Sequence, residues 1–436
     1  MVHAFKNNGN FYLFDVESNN LFNVDEVVFC VVKNCDLDKF DTTEINEANA
    51  EIKELKDSGL LFTESQNEVS PGKSTFIKSM CLHLSHDCNL RCKYCFADEG
   101  AYHGKREHMP LETAKAAIDF LIENSGYLKN LEVDFFGGEP LMNFDVLKKT
   151  VEYAKERAEK CGKVFKFTTT TNGILLDKEV SDYLNREMDN VVLSLDGRKE
   201  VHDNARPTAN GKGSFDVIMD KFKYFRSIRG DKSYFLRGTF TSENKDFCED
   251  VLFMADHFDQ VSVEPVVLPD SHPMALKESD LPVLFEQYEK LAAEYVRRRK
   301  DPDKWFGFFH FNVDLENGPC LKKRLMGCGA GCSYCAVTPD GNIYPCHQFA
   351  GESEFVLGNV FDKKLDPQRR QTFLDSTLAT KKNCGSCWAK YQCSGGCAAN
   401  AIHFNGDINV PYNLACELMR KRLECALYIY DCEHKN

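Results

Sequence analysis

Twenty cysteines in 436 residues, and the way they cluster, constrain this chain more than any other feature. Three of them stand together at Cys88, Cys92 and Cys95, and most of the rest fall between positions 320 and 432. The N-terminal stretch MVHAFKNNGN has no apolar run of the signal-peptide kind. No window approaches the ~18 consecutive apolar residues of a membrane span. The chain therefore reads as soluble and cytoplasmic. Disulfides are rare in that compartment, so thiols in these numbers point to metal or cluster ligation. A net charge of −13 argues against nucleic acid or an anionic membrane as the main partner.

Length favours two or three domains. Residues 1–75 form one unit, with a short strand expected around Phe11, Leu13 and Val16, a helix from Asp41 to Leu55, and a Pro-Gly linker at 66–74. Over 76–270, β-rich runs at 80–86, 131–136, 164–171, 191–195, 234–240 and 261–266 alternate with helically periodic segments such as 111–125 and 144–160. Six such β-then-α units predict an α/β fold with a parallel sheet, open or curled into a partial barrel, whose site lies at the carboxyl ends of the strands. Residues 271–319 read as a helical connection. Residues 320–436 are rich in Cys and Gly and end in a helix near Leu414–Tyr430.

Cys88-x3-Cys92-x2-Cys95 puts three thiolates on one loop after the first β run. Three thiolates can hold three corners of a four-iron, four-sulfur cube and leave the fourth iron open to an amino-acid chelate. A three-cysteine zinc site completed by His86 is the structural alternative. Gly137-Gly138-Glu139-Pro140 follows the second run, Asn172-Gly173 the third and Asp196-Gly197 the fourth. With Tyr94 before the last cysteine, the stretch resembles the signature of the radical S-adenosylmethionine (SAM) superfamily over roughly residues 80–270. The resemblance implies a partial (β/α)6 TIM barrel that binds SAM, with Tyr94, Gly137, Gly138, Glu139, Asn172, Ser194, Asp196 and Arg206 around the cofactor. It also implies a reductant such as flavodoxin or ferredoxin.

Further on, Cys328 is followed by Asp340-Gly341 and Cys346, then by Cys384-x2-Cys387-x5-Cys393-x3-Cys397, and finally by Cys416. Two pairs at ribbon spacing would suit zinc, but seven ordered thiols suit two more iron–sulfur clusters better. The region resembles the SPASM extension in order and gap. By that resemblance Cys384, Cys387, Cys393 and Cys416 hold an outer cluster, and Cys328, Cys346 and Cys397 hold a nearer one, for three four-iron clusters in all. The fourth ligand of the nearer cluster is Cys332, Cys335 or neither; an open iron there could take a substrate thiolate. Where sulfatase-maturing relatives carry an aspartate base, this chain has His347, which could move a proton or donate to cluster sulfur. Cys30, Cys35, Cys81, Cys161, Cys248, Cys320, Cys425 and Cys432 read as buried or spare thiols, with Cys320 nearest the array.

Residues 327–360 resemble maturases of the cysteine-rich SCIFF peptides, which make thioether bonds in a ribosomally synthesised precursor. That resemblance implies that residues 1–75 form a small winged-helix-like domain that recognises the leader of the precursor by strand addition. Other products remain open: side-chain oxidation or epimerisation on a peptide or protein. An alternative of another class is a zinc-bound interaction protein without catalysis.

Overall fold

The computed structural model describes residues 1–64, 75–318 and 324–434. Both the expected linker at 66–74 and Cys320 fall outside the described residues. The first unit holds more sheet than its sequence suggested. Three strands, β1 (Val2–Asn7), β2 (Asn10–Asp15) and β3 (Leu21–Val24), form an antiparallel meander in that order. Asn8 and Gly9, at φ 45° and 81°, make the tight turn between β1 and β2. Both central residues of such a turn need positive φ, which Asn and Gly tolerate. Helices α1 (Glu26–Lys33) and α2 (Thr42–Asp57) follow. The side chain of Asp41 accepts the N–H groups of Thr43 and Glu44 at 2.7 and 2.9 Å, and Glu44 reaches back to the N–H of Asp41, a complete capping box. Ala4, Leu13, Val28, Ala48 and Leu61 form a small private core. Phe5, Tyr12 and Phe14 pack instead into the main body.

That body is built on the six expected parallel strands: β4 (Ser79–Ser85), β5 (Asn130–Gly137), β6 (Val164–Thr171), β7 (Asn190–Ser194), β8 (Ser233–Phe240) and β9 (Gln260–Pro265). Each pairs in parallel with its sequence neighbours. The crossovers carry helices α3 (Leu111–Asn124), α4 (Phe144–Cys161), α5 (Lys178–Glu187), α6 (Lys199–Ala205), α7 (Phe215–Arg229) and α8 (Phe247–Ala255). Strand alternation divides the side chains. Met80, Leu82, Val133, Phe135, Leu193, Leu236 and Val263 enter the core under the helices. Cys81, His83, Asp134, Phe136, Arg237 and Glu264 point the other way, into the lumen. After β9, helix α9 (Leu281–Arg299) and the two-residue strand β10 (Gly307–Phe308), parallel to β9, supply the connection.

The cysteine-rich segment does not stand apart from this sheet. β11 (Tyr334–Val337) runs parallel to β4 on its free side, with Ala336 opposite Cys81. β12 (Asn342–Tyr344), β13 (Gly358–Asn359) and β14 (Lys364–Leu365) continue it as an antiparallel meander. The result is one eleven-stranded sheet ordered β10-β9-β8-β7-β6-β5-β4-β11-β12-β13-β14. The last helix, Asn413–His434, returns to the first unit, where Tyr12 donates to Asp431 at 3.0 Å and Asn7 to Cys425 Sγ at 3.5 Å. Among the described residues, no helix is long and apolar enough to cross a membrane.

Candidate active site

Glycines let the cysteine loop close against the sheet ends. A Cβ on Gly137 would lie 2.3 Å from Ser85 O, and one on Gly138 would lie 2.2 Å from Asp87 O. The backbones join there as well: Gly138 N–H donates to Ser85 O at 2.7 Å and Glu139 N–H to Asp87 O at 3.0 Å. Above this cradle is a cavity of about 260 Å³, lined by Cys88, Cys92 and Cys95 on one side. Tyr94, Gly137, Gly138, Glu139, Asn172, Ser194, Arg206 and His347 also line it. Asp196, expected among the cofactor contacts, is instead fully buried behind the wall. Its carboxylate accepts from Tyr94 OH at 2.6 Å, Arg206 Nε at 2.9 Å and Thr239 N–H at 2.9 Å. It braces three lining residues from three different elements.

Glu139 is buried, and its carboxylate accepts from Thr171 OH (2.8 Å), Asn172 N–H (2.8 Å) and Leu141 N–H (3.1 Å). Burial, opposed by those donors, raises its pKa to about 7. A carboxylate has about four lone-pair positions, so one remains for a ligand. Arg206 uses Nε for Asp196, which leaves its terminal nitrogens to grip a carboxylate in the two-pronged manner of guanidinium. Asn172 donates to Asn89 Oδ1 at 2.7 Å and to Cys88 Sγ at 3.6 Å, tying the third strand end to the first cysteine.

The thiols suit a cluster rather than a disulfide framework; no disulfide joins any two of the described cysteines. Burial pushes Cys88 and Cys92 up to about 12. Thiols held in so little water stay protonated until a metal displaces the proton. Among the described residues, no three His, Cys, Asp or Glu side chains gather as closely as a single metal ion requires. His86, the possible fourth zinc donor, turns Nε2 to His83 Nδ1 at 3.1 Å.

The distant cysteines come together in two further groups. Cys384, Cys387, Cys393 and Cys416 line one small cavity, though 32 residues separate the first from the last. Cys328 and Cys397 each stand close enough to Cys346 to raise its pKa, which burial already lifts far above the usual thiol range. Of the two candidates beside them, Cys332 feels Cys328 and shares an apolar cluster with Cys346, whereas Cys335 packs into the main core near Arg370. That smaller apolar cluster also takes in Cys95, Phe136 and Tyr102, so the first cysteine loop and the array share one packing unit. His347 stands between them, its ring 5.7 Å from Phe96 and 5.1 Å from Phe136, with Nδ1 3.4 Å from Tyr334 OH. Burial, reinforced by Arg237, pulls its pKa to about 4 and keeps it neutral near pH 7.

Phe96, Phe136, Arg237, Thr239 and Glu264 also line the cavity and were absent from the sequence reading. The alternation of β8 held the clue: Arg237 and Thr239 are two apart and therefore share a face.

Residues 82–254 match the model of the radical SAM superfamily, and residues 328–388 match that of SPASM, an iron–sulfur cluster-binding domain. The chain is 34% identical over 289 residues to an uncharacterised protein of Methanocaldococcus jannaschii, covering 66% of this chain and 90% of that one. It is 28% identical over 344 residues to the cysteine-type anaerobic sulfatase-maturating enzyme of Clostridium novyi, covering 72% of this chain and 86% of the relative. Among solved structures, native anSMEcpe with bound AdoMet and Cp18Cys peptide superposes with a TM-score of 0.65 at 20% identity, covering 83% of this chain and all (100%) of the other.

Proposed function

Because the chain belongs to the radical SAM superfamily and carries a SPASM domain, we propose that it is a maturase that joins cysteine sulfur to carbon within a ribosomally made, cysteine-rich peptide. The observation that carries this reading is the joint packing of Cys95, Phe136 and Cys346, which brings the first cysteine loop and the array into one apolar cluster beside the cavity that Cys95, Phe136 and His347 line. A thioether-forming enzyme needs such an arrangement, because its carbon and its sulfur must be presented to the same space.

In this reading Cys88, Cys92 and Cys95 hold the first cluster; Cys384, Cys387, Cys393 and Cys416 the outer one; and Cys328, Cys346 and Cys397 the nearer one, with Cys332 rather than Cys335 within reach of it. When bound, the clusters and SAM supply one-electron chemistry at an unactivated carbon–hydrogen bond. The residues of the chain do the positioning. The spare lone pair of Glu139 and the Gly137–Gly138 backbone take the methionine amine, the terminal nitrogens of Arg206 take its carboxylate, and Tyr94, Asn172 and Ser194 complete the wall. Neutral His347, its pKa drawn down to about 4, is too weak a base to hold a thiol proton and instead offers a hydrogen bond to sulfur. The three-stranded sheet of the first unit offers the strand edges on which a leader peptide adds. The reductant is a soluble one-electron donor.

The test is anaerobic turnover of the iron-loaded protein with a synthetic cysteine-rich precursor peptide, leader included, read by tandem mass spectrometry. Each thioether removes two hydrogens and, unlike a disulfide of the same mass, survives reduction with dithiothreitol, whereas epimerisation leaves the mass unchanged and oxidation of a side chain other than cysteine leaves the thiols free to alkylate. A protein carrying about twelve irons is expected, four for each cluster. An unaltered peptide together with no consumption of SAM would sink the reading.

A further inference from the structure

Across the cavity from the cysteine loop, two oppositely charged side chains face the space together. Arg237 on β8 donates from Nη2 to Glu264 Oε2 on β9 at 3.1 Å, with the two side chains 48% and 41% exposed. An ion pair this exposed contributes only about 0–1 kcal/mol to stability, so folding alone gives no reason for it. Yet the carboxylate is held from behind by buried groups. His310, 6% exposed, lies with Nε2 3.8 Å from Glu264 Oε1 and 3.0 Å from Ser262 Oγ. Its Nδ1 faces Arg422 Nη1 at 3.1 Å. A guanidinium can only donate, so Nδ1 is the acceptor and Nε2 carries the proton. That N–H points toward Ser262 and Glu264, and the imidazole is neutral. Against the cost of desolvation, the guanidiniums of Arg237 and Arg422 keep Glu264 ionised.

Most of the hydrogen-bonding capacity of the pair is unused. Among the described residues, Glu264 is the sole hydrogen-bond acceptor for the five N–H donors of Arg237. Glu264 likewise has lone pairs beyond the one that meets Arg237. The pair is neutral overall but offers a strong donor beside a strong acceptor on one wall. An acidic or basic side chain would gain from one partner and lose to the other. A group with its own donor next to its own acceptor gains from both, and a carboxamide has that pattern. We propose that Arg237 and Glu264 clamp an amide of the substrate, with Arg237 taking the C=O and Glu264 the N–H, and so fix the acceptor residue opposite Cys88, Cys92 and Cys95. The amide is either a main-chain peptide unit or an Asn/Gln side chain. This rests on the peptide reading of the site; Arg237 and Glu264 act as positioning residues within it.

The test uses the iron-loaded full chain, SAM and the fluorescein-labelled form of the synthetic cysteine-rich precursor peptide used in the turnover assay. Dissociation constants are measured by anisotropy for the wild type, Arg237→Gln and Glu264→Ala, against peptides N-methylated one position at a time and peptides with each Asn or Gln replaced by Ala. One modified amide is expected to weaken wild-type binding about tenfold, about 1.4 kcal/mol. The same modification should cost Glu264→Ala less than about twofold, because the N–H has already lost its partner. Arg237→Gln is expected to raise KM by a larger factor than it lowers kcat. N-methyl sensitivity identifies a main-chain amide, and Ala sensitivity a side-chain one. If the wild type binds and cross-links the peptide but tolerates every modification equally, or if the variant and the modification are additive, the clamp is wrong while the function stands. If the wild type binds no such peptide, the function falls and the clamp with it. The N-methyl series on the wild type keeps the test decisive should either variant fail to fold.

Discussion

His3 lies flat against Trp388, with ring centroids 3.7 Å apart and planes 4° from parallel. Trp388 directly follows Cys387, so the first strand of the N-terminal sheet rests on the loop that carries the outer thiols. His3 also reaches Glu424 on the last helix at 3.0 Å. A unit proposed to receive the leader peptide is thus seated on a proposed cluster loop. Trp388→Ala is expected to cost about 1–3 kcal/mol. Limited proteolysis should then cut near residue 64 sooner than in the wild type, while the barrel stays resistant.

The same seam holds a buried ion pair. Lys390 Nζ lies 2.7 Å from Glu17 Oε1, with the two side chains 11% and 5% exposed, and Tyr391 OH donates to Oε2 at 2.9 Å. Removing one partner of such a pair strands the other in a site without water. Glu17→Gln is expected to lower stability by about 3 kcal/mol in urea titrations. A loss below about 1 kcal/mol would mean that water reaches the seam.

Gly138 is a steric prediction. A methyl group there meets a backbone carbonyl, Asp87 O at 2.2 Å, which no side-chain rotation can relieve. Gly138→Ala should displace the loop bearing Cys88 and leave the distant array intact. Iron analysis should fall from about twelve to about eight atoms per chain, with SAM cleavage lost.

Asp196 acts from behind the wall. Asp196→Asn preserves its shape but replaces the carboxylate that Tyr94 OH and Arg206 Nε both meet on Oδ2. The affinity for SAM is expected to drop about tenfold by anaerobic calorimetry, about 1.4 kcal/mol, with little change in iron content. An unchanged affinity would show that Arg206 needs no brace.

Stability should depend on pH through His202. It is fully buried; Nδ1 accepts the N–H of Asp196 at 3.3 Å, and Nε2 faces Ser214 Oγ at 3.0 Å. Burial lowers its pKa from 6.5 to about 4. An unfolded chain takes up this proton near pH 6.5, while the folded chain waits until about pH 4. Across that window the unfolded state binds more protons, so stability rises with pH. His202 contributes a slope of at most about 1.4 kcal/mol per pH unit, full stability being present above pH 6.5 and lost as the pH falls. His202→Asn should lower the slope of urea midpoints between about pH 4 and 6.5 by one proton's share, with other buried histidines such as His86 and His347 keeping theirs.

Periodicity alone was enough to read the six parallel strands and their helices, because a strand covered on one side and facing a lumen on the other must alternate. The residues that end those strands were legible for the same reason: Cys88, Gly137, Gly138, Glu139, Asn172 and Ser194 follow runs whose direction sets where they emerge. Two-residue punctuation was missed in the first unit, where Asn8-Gly9 signals the β1–β2 hairpin, and a second turn before Leu21 adds a third strand.

Spacing in the chain determined that Cys88, Cys92 and Cys95 could act together, since loop ligands close in sequence are close in space, whereas the grouping of the later cysteines came from the SPASM resemblance. It could not decide that β11 would join β4, that Cys332 would lie beside Cys328 while Cys335 packs into the main core, or that Asp196 would stand behind the cavity while Arg237 and Glu264 face it. Those outcomes depend on which strand edge is free and which face of each strand meets the lumen. Sheet pairing between residues more than 250 positions apart, such as Cys81 and Ala336, is settled only when the packed core fixes register.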